Sequence, residues 1–486
     1  MNPEISQLQP IALWNNFAKL NAVPRGSKKE GRVIAFMKKF GNDLGLETIE
    51  DEVGNVIIKK PATQGMEDRK TVVMQSHLDM VHQKNADTDF DFDTQGIDMY
   101  VDGDWVRARG TTLGADNGLG VATIMSILES NDIPHPAIEA LFTIDEETGM
   151  TGAMGLKGGL LDGEILLNLD TEEDDEIGVG CAGGIDVTAT RNYMEQNISG
   201  SKSGLLIKVK GLQGGHSGMD IHKGLGNSNK ILNRLLYKGT KEFKMAISEI
   251  DGGSLRNAIP RESKALVVVD SSEKSDLING LQELASAIKM ELKTMEPELL
   301  IEITEHETPG KIMKSDVQLL LVNALYSAWN GVYRMSADIP DLVETSNNIA
   351  RVIAKDGSIK ILCLTRSSVE SSKMDLANTI RASFELAGCD VEFSGSYPGW
   401  APNMDSAILK VMEKLYLDMN GKKPNVAACH AGLECGILGT NYPEMDMISF
   451  GPTIRGAHSP DERASISSAQ KYYKFVLEIL KEIPKK

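Results

Sequence analysis

The sequence predicts an α/β protein in which a discontinuous catalytic-type domain, residues 1–186 and 395–486, is interrupted by an inserted α+β domain at residues 187–394. Three observations carry this. Short apolar runs at 72–74, 140–144, 165–167 and 447–450 are too short for helices and lack polar alternation, as expected of strands buried on both faces. The middle of the chain changes character, and the first pattern resumes only after Tyr397-Pro398-Gly399-Trp400. A length of 486 residues also exceeds what one core usually organises.

Taken in order, residues 8–20 and 30–44 have apolar side chains at helical spacing, and 48–60 reads as two strands turned at Gly54-Asn55. A helix is expected over 118–129, between the first two buried runs. In the insert, 205–210, 265–270 and 299–304 read as strands, while 229–236, 275–293 and 316–329 read as helices. Asp356-Gly357 between 351–355 and 358–364 is a two-residue hairpin signal. A helix over 372–387 leads to a strand at 391–393, and the chain closes on a helix over 467–482.

Composition excludes several function classes. Asp plus Glu number 69 against 51 Lys plus Arg, a formal charge of -18, so polyanionic partners such as nucleic acid or an acidic membrane are repelled. No apolar run approaches the ~20 residues that cross a bilayer. The opening residues Met1 to Ser6 carry no signal-peptide pattern. Five scattered cysteines form neither a disulfide framework nor a CxxC site. A cytoplasmic protein is expected, and any metal must be held by His, Asp and Glu.

Each buried run is followed by acid or histidine: Ser76-His77-Leu78-Asp79, Asp145-Glu146-Glu147, Asn168-Leu169-Asp170, and the loop holding Ala457-His458-Ser459. Ligands of open α/β sheets sit at the carboxyl ends of parallel strands. Carboxylates gathered there repel one another unless a cation holds them. His77, Asp116, Glu147, Asp170 and His458 suit two zinc-like ions sharing Asp116 as a bridge. Three carboxylates and a bridging hydroxide would balance the charge of two divalent ions. Such ions, ~3.5–4 Å apart, turn a water held between them into a nucleophile near neutral pH. Without thiolates, cobalt or manganese would serve as well as zinc.

Glu146 and Glu147, read as neighbours on extended chain, point to opposite sides, so one ligates while the other acts as general base. Asp79 shares a face with His77 and is placed to orient its ring. Each residue alone has a plainer explanation. Asp116 before Asn117-Gly118 also reads as a helix N-cap, Glu146-Glu147 as solvated charge, His458 as a structural histidine and Asp170 as a turn starter. Their joint placement is what the plainer explanations leave unaccounted for.

The motifs Ser76-His77-Leu78-Asp79-Met80, Gly114-Ala115-Asp116-Asn117-Gly118, Asp145-Glu146-Glu147-Thr148-Gly149, Gly214-Gly215-His216-Ser217-Gly218 and Gly456-Ala457-His458-Ser459-Pro460-Asp461-Glu462 resemble the bacterial aminoacyl-histidine dipeptidases. These are also called peptidase D or cytosol non-specific dipeptidase, within the co-catalytic zinc carboxypeptidase-like superfamily. The likeness spans nearly the whole chain and includes Arg256-Asn257-Ala258-Ile259-Pro260-Arg261 and His430-Ala431-Gly432-Leu433-Glu434-Cys435-Gly436. It implies a mixed-sheet zinc-peptidase domain with an inserted α+β lid, and hydrolysis of unblocked dipeptides, including Xaa-His types such as β-alanyl-histidine. It assigns His77, Asp116 and Asp170 to one ion and Asp116, Glu147 and His458 to the other, with Glu146 as base and Asp79 as orienting carboxylate. A small peptide is the implied partner and a homodimer the implied assembly.

By the same resemblance His216 would reach the scissile carbonyl oxygen, from its own or a neighbouring subunit; a flexible glycine turn is the alternative. Arg366 is a candidate clamp for the substrate carboxylate, or a surface arginine. Asn257 is a candidate substrate hydrogen-bonding residue, or a turn asparagine. Glu434 has no derivable role, and His222 and His430 read as structural. Residues 110–120 lack the Gly-Lys-Ser/Thr ending of a P-loop, and no HExxH occurs. An amidohydrolase acting on acylated amino acids and a non-catalytic peptide binder are the competing functions.

Overall fold

The computed structural model describes residues 4–486 as a mixed α/β protein in two compact units. The first runs to Gly180 and resumes over Pro402–Ala428 and Leu433–Lys486; the second comprises Cys181–Ala401 and Cys429–Gly432.

The first unit is built on a sheet with strands β1 Glu47–Glu50, β2 Val56–Lys60, β3 Val72–His77, β4 Ile138–Thr143, β5 Ile165–Asn168, β6 Glu176–Cys181, β7 Asn425–Cys429 and β8 Asp446–Ser449, in the spatial order β1-β2-β4-β3-β5-β8-β6-β7. The central strands β4, β3, β5 and β8 are parallel to one another, and the flanking strands β2 and β6 run antiparallel to them. Every residue of β3, β4 and β5 is buried, which explains why these strands read as unbroken apolar runs. Helix α1 (Ile11–Asn21) packs on α2 (Ala115–Glu129), which packs on β3. Gly118, Gly120 and Ala122 leave α2 slim enough to be buried nearly all round. A smaller sheet of four short strands, Met99–Asp102, Trp105–Ala108, Ile454–Arg455 and Arg463–Ser465, joins the early and late parts of the chain.

The second unit is an antiparallel sheet in the order Leu300–His306, Lys202–Lys210, Ser263–Asp270, Ala246–Gly253, Val343–Lys355, Ser358–Ser367, Gly183–Asn192, Asp390–Tyr397, with Gly331–Met335 paired to the long central strand. Burial alternates along Lys202–Lys210, as it does where one face of a sheet is covered and the other is wet. Helices Ser228–Phe243, Lys274–Leu292, Ser315–Ser327 and Glu370–Glu385 supply apolar partners such as Leu235, Leu281, Leu321 and Ile380 to its core. The hairpin turn falls at Asp356-Gly357, both with positive φ (51° and 74°), the backbone a tight hairpin requires. Among the described residues no helix is long and apolar enough to cross a membrane.

Candidate metal centre

Four chain segments leave the carboxyl ends of the parallel strands, and each delivers a polar side chain to one place. His77 is the last residue of β3; Glu146 and Glu147 follow β4; Asp170 follows β5; His458 lies beyond β8, in the turn between the short strands Ile454–Arg455 and Arg463–Ser465. Asp116 comes from the first turn of α2, where its own backbone (φ -79°, ψ 111°) is not helical. Its side chain caps no helix, so the N-cap explanation fails. Instead Oδ1 lies 3.2 Å from His77 Nε2 and Oδ2 lies 3.1 Å from His458 Nε2, one oxygen toward each imidazole.

Asp170 Oδ1 stands 3.4 Å from the same His77 Nε2, and Glu147 Oε2 stands 2.9 Å from His458 Nε2. Two overlapping donor groups result, His77–Asp116–Asp170 and Asp116–Glu147–His458, each with its donor atoms within 4.8 Å of one another. A third group of the same spacing joins His77 to Glu146 and Glu147. These residues fit divalent ions: the donors are imidazole nitrogens and carboxylate oxygens, and Glu147 Oε1 is buried with no hydrogen-bond partner. Glu30, Asp79 and Asp145 form a further acidic group, but its oxygens are taken up by backbone N–H and hydroxyl donors.

Charge and burial contend across the cluster. Burial alone would lower the His77 pKa, but the Asp170 charge and the hydrogen bonds to Asp116, Asp170 and Asp79 raise it well above the ordinary range. Hydrogen bonds to Asp116 and Glu147 lift His458 to about 11. Asp116, though buried, is held far below the usual carboxylate range by its two histidines. Burial raises Glu146 well above its ordinary value, and the neighbouring charges of Asp170, Glu434 and Glu147 add to this against His77.

The acid pair is not on extended chain as the sequence implied. Asp145 takes φ 54° and Glu146–Gly149 forms one helical turn. Asp79 holds that turn: Glu146 N–H donates to Oδ1 (3.1 Å) and Glu147 N–H to Oδ2 (3.2 Å). Asp79 Oδ1 is also 3.4 Å from His77 Nδ1. The Asp79 carbonyl is closer still to that nitrogen (3.2 Å), so Asp79 meets the imidazole through backbone and side chain while its carboxylate accepts from both glutamate N–H groups.

In the second unit, Gly215–His216 pairs with Ala258–Ile259 as a short strand, so this glycine segment is not a flexible turn. His216 Nδ1 accepts from the N–H groups of Gly218 (3.2 Å) and Met219 (3.0 Å), which assigns the ring proton to Nε2. Burial and the Arg366 charge push its pKa below the ordinary value. A Cβ at Gly218 would stand 2.1 Å from the His430 carbonyl, so this glycine is required by close approach. Ser217 N–H donates to the exposed Asn257 at its carbonyl (2.7 Å). Arg366 is buried rather than on the surface; its Nη1 donates to Tyr397 Oη (2.7 Å) and its Nε has no partner. His430 is buried with Nε2 2.8 Å from Ser346 Oγ, and burial takes its pKa to about 3.

Three residues around the cluster escape a sequence reading. Glu434 is fully buried, its Oε2 accepting from Gln75 Nε2 and Thr143 Oγ1 at 2.6 Å each. Arg25 and Glu462 are buried against the backbone beside Asp116. Glu434 and Glu462 lie in motifs already singled out, but only their fully buried charge marks them; Arg25 carries no sequence signal.

A mixed sheet whose parallel strands lead to a carboxylate lying between two imidazoles makes this a candidate divalent-cation site of an α/β enzyme. The chain belongs to peptidase family M20/M25/M40, whose family profile matches residues 73–482, and it is an enzyme, a peptidase. It is 43% identical over 490 residues to the cytosol non-specific dipeptidase of Escherichia coli (strain K12), spanning 99% of this chain and 100% of that one. The crystal structure of aminoacylhistidine dipeptidase from Vibrio alginolyticus superposes with a TM-score of 0.95 at 43% identity, covering 100% of this chain and 99% of that one. Aminopeptidase PepT from Bacillus cereus shares the fold, with a TM-score of 0.57 at 17% identity over 98% of this chain and 99% of that one.

Proposed function

We propose that the protein is a two-metal dipeptidase that hydrolyses unblocked dipeptides, Xaa-His types such as β-alanyl-histidine among them. One observation carries the reading: the Asp116 carboxylate lies between His77 and His458 with one oxygen toward each. Full-length identity to relatives named dipeptidases supports the substrate class. His77, Asp116 and Asp170 would hold one divalent ion, and Asp116, Glu147 and His458 the other, with zinc the leading candidate and cobalt or manganese compatible with the same donors. Bound there, the ions supply a water acidified to near-neutral pKa and a Lewis acid for the scissile carbonyl.

The chain's own groups do the rest. Glu146, its pKa raised by burial, accepts the proton of the attacking water and returns it to the leaving amine. Asp79 fixes Glu146 and Glu147 through their backbone N–H groups and keeps the His77 Nδ1 proton directed away from the cluster. His216, with its proton on Nε2, is the donor offered to the developing oxyanion. Arg366, with an unpartnered buried Nε, is the clamp for the substrate carboxylate, and Asn257 hydrogen-bonds the peptide. The inserted unit serves as a lid, and the working form is a cytoplasmic homodimer.

The deciding experiment is an activity panel with added zinc, cobalt or manganese, run on wild type and Glu146→Ala. Wild type is expected to cleave dipeptides and spare tripeptides and acetylated amino acids. Glu146→Ala is expected to retain its metal by elemental analysis and to lose at least about 100-fold in kcat, the scale of a general base. Hydrolysis of acetylated amino acids alone would overturn the dipeptidase reading; near-normal turnover by the variant would remove Glu146 from the chemistry.

A further inference from the structure

Two buried charges of opposite sign grip the peptide units beside Asp116, and neither belongs to the proposed ligand set. Glu462 Oε2 accepts the N–H of Leu113 (2.7 Å) and Gly114 (2.9 Å), and its Oε1 accepts those of Ala115 (2.8 Å) and Asp116 (3.3 Å). With Gly114 at φ 70°, four successive amides turn inward around one carboxylate, a backbone nest for an anion. Arg25 holds the carbonyl side. Its Nη2 donates to the Gly114 carbonyl (2.5 Å) and to Asn21 Oδ1 (3.1 Å), and its Nη1 donates to the carbonyls of Leu78 and Asp79 (3.0 Å each). A Cβ at Gly114 or Gly118 would stand 2.5 or 2.7 Å from Arg25 Nη2. The glycines flanking Ala115-Asp116-Asn117 therefore make room for a guanidinium.

The two grips lead to different histidines. Arg25 ties the Asp116 turn to the two residues that follow His77. Glu462 ties the same turn to the His458 loop, into which its own N–H donates at the Ser459 carbonyl (3.0 Å). Both side chains are nearly inaccessible, at 1% and 2% exposure, so water cannot take over their contacts. Resting on the two-cation reading above, we propose that Arg25 and Glu462 are positioning residues for the bridging carboxylate, Arg25 setting its spacing to His77 and Glu462 its spacing to His458. A bridge shared by two ions must satisfy two distances at once, and the fold gives each distance its own tether.

The test is calorimetric titration of the chelator-stripped full-length chain with Zn2+ alone, with His458→Ala marking the step that belongs to the Glu147–His458 side. Glu462→Gln turns an amide NH2 toward backbone N–H donors, and Arg25→Lys keeps the charge but loses the planar fork. Glu462→Gln is expected to weaken the step marked by His458→Ala on the order of 10–100-fold, and Arg25→Lys to weaken the other step by a similar factor. Circular dichroism and a thermal melt of the stripped variants verify folding. Should Glu462→Gln not fold, Glu462→Asp, which retracts the carboxylate by one methylene, is expected to weaken the same step. Folded variants that bind two zinc ions with wild-type affinity, or that weaken both steps equally, overturn the tethers and leave the two-cation reading intact. A wild-type chain that takes up no zinc overturns both.

Discussion

Glu434 illustrates how a single side chain near the centre can store a pH dependence without touching a proposed ligand. Burial raises its pKa to about 7, the charges of Asp170 and Asp79 adding to burial while His77 and the Thr143 hydroxyl oppose it. A carboxylate with a raised folded pKa binds more protons folded than unfolded between its ordinary value near 4.5 and 7. Stability is therefore favoured below that window and is lost as pH rises through it. The shift corresponds to roughly 3 kcal/mol at ~1.4 kcal/mol per pKa unit. Glu434→Gln keeps the volume and an acceptor for Gln75 or Thr143. Urea unfolding of the chelator-treated variant is expected to show a flatter dependence between pH 4.5 and 7 than wild type. An unchanged slope would place the ionisation elsewhere.

At the scale of elements, α2 shows packing overriding propensity. An exposed glycine in a helix interior gains about 1 kcal/mol on becoming alanine. A Cβ at Gly120, however, would stand 2.2 Å from Asn117 Oδ1, 2.4 Å from Ser76 Oγ and 2.8 Å from the Leu169 carbonyl. Gly120→Ala is therefore expected to destabilise the chain by about 1–3 kcal/mol, read as a lower urea midpoint at unchanged m-value. The same burial explains what the sequence made legible. Strands β3, β4, β5 and β8 each carry an unbroken apolar stretch because both faces are covered, so the acids and histidines just beyond stand out. Strands of two or three residues, such as Ile454–Arg455 and Arg463–Ser465, are shorter than any periodicity can register. Gly183–Asn192 sets Asp186, Thr188 and Thr190 between buried Ile185, Val187 and Ala189, and these polar positions break the apolar run that marks the other strands. The helical turn at Glu146 is not legible in the local sequence because the group that accepts from its first N–H donors is Asp79, distant in sequence. Arg25 and Glu462 act on backbone as well, which has no side-chain pattern to read.

Across the whole molecule, each unit has a core of its own: Trp14, Phe17, Leu119 and Ile454 belong to one in the first, and Leu235, Val267, Ile361 and Phe384 to one in the second. The proposed ligands all fall in the first unit. Chelation is therefore expected to lower the first unit's transition in scanning calorimetry and leave the second's in place, with zinc restoring the original trace. Each ion at one hundred times its Kd contributes about 2.7 kcal/mol, enough to separate the two signals. Equal displacement of both transitions would count against the assignment. Finally, the cluster gathers side chains from position 77 to position 458 of the chain. During synthesis on the ribosome, a growing polypeptide can bury β3, β4 and β5 long before the last imidazole is translated. A cluster assembled in that way stays incomplete until His458 has been added, and products terminated before that residue lack its imidazole.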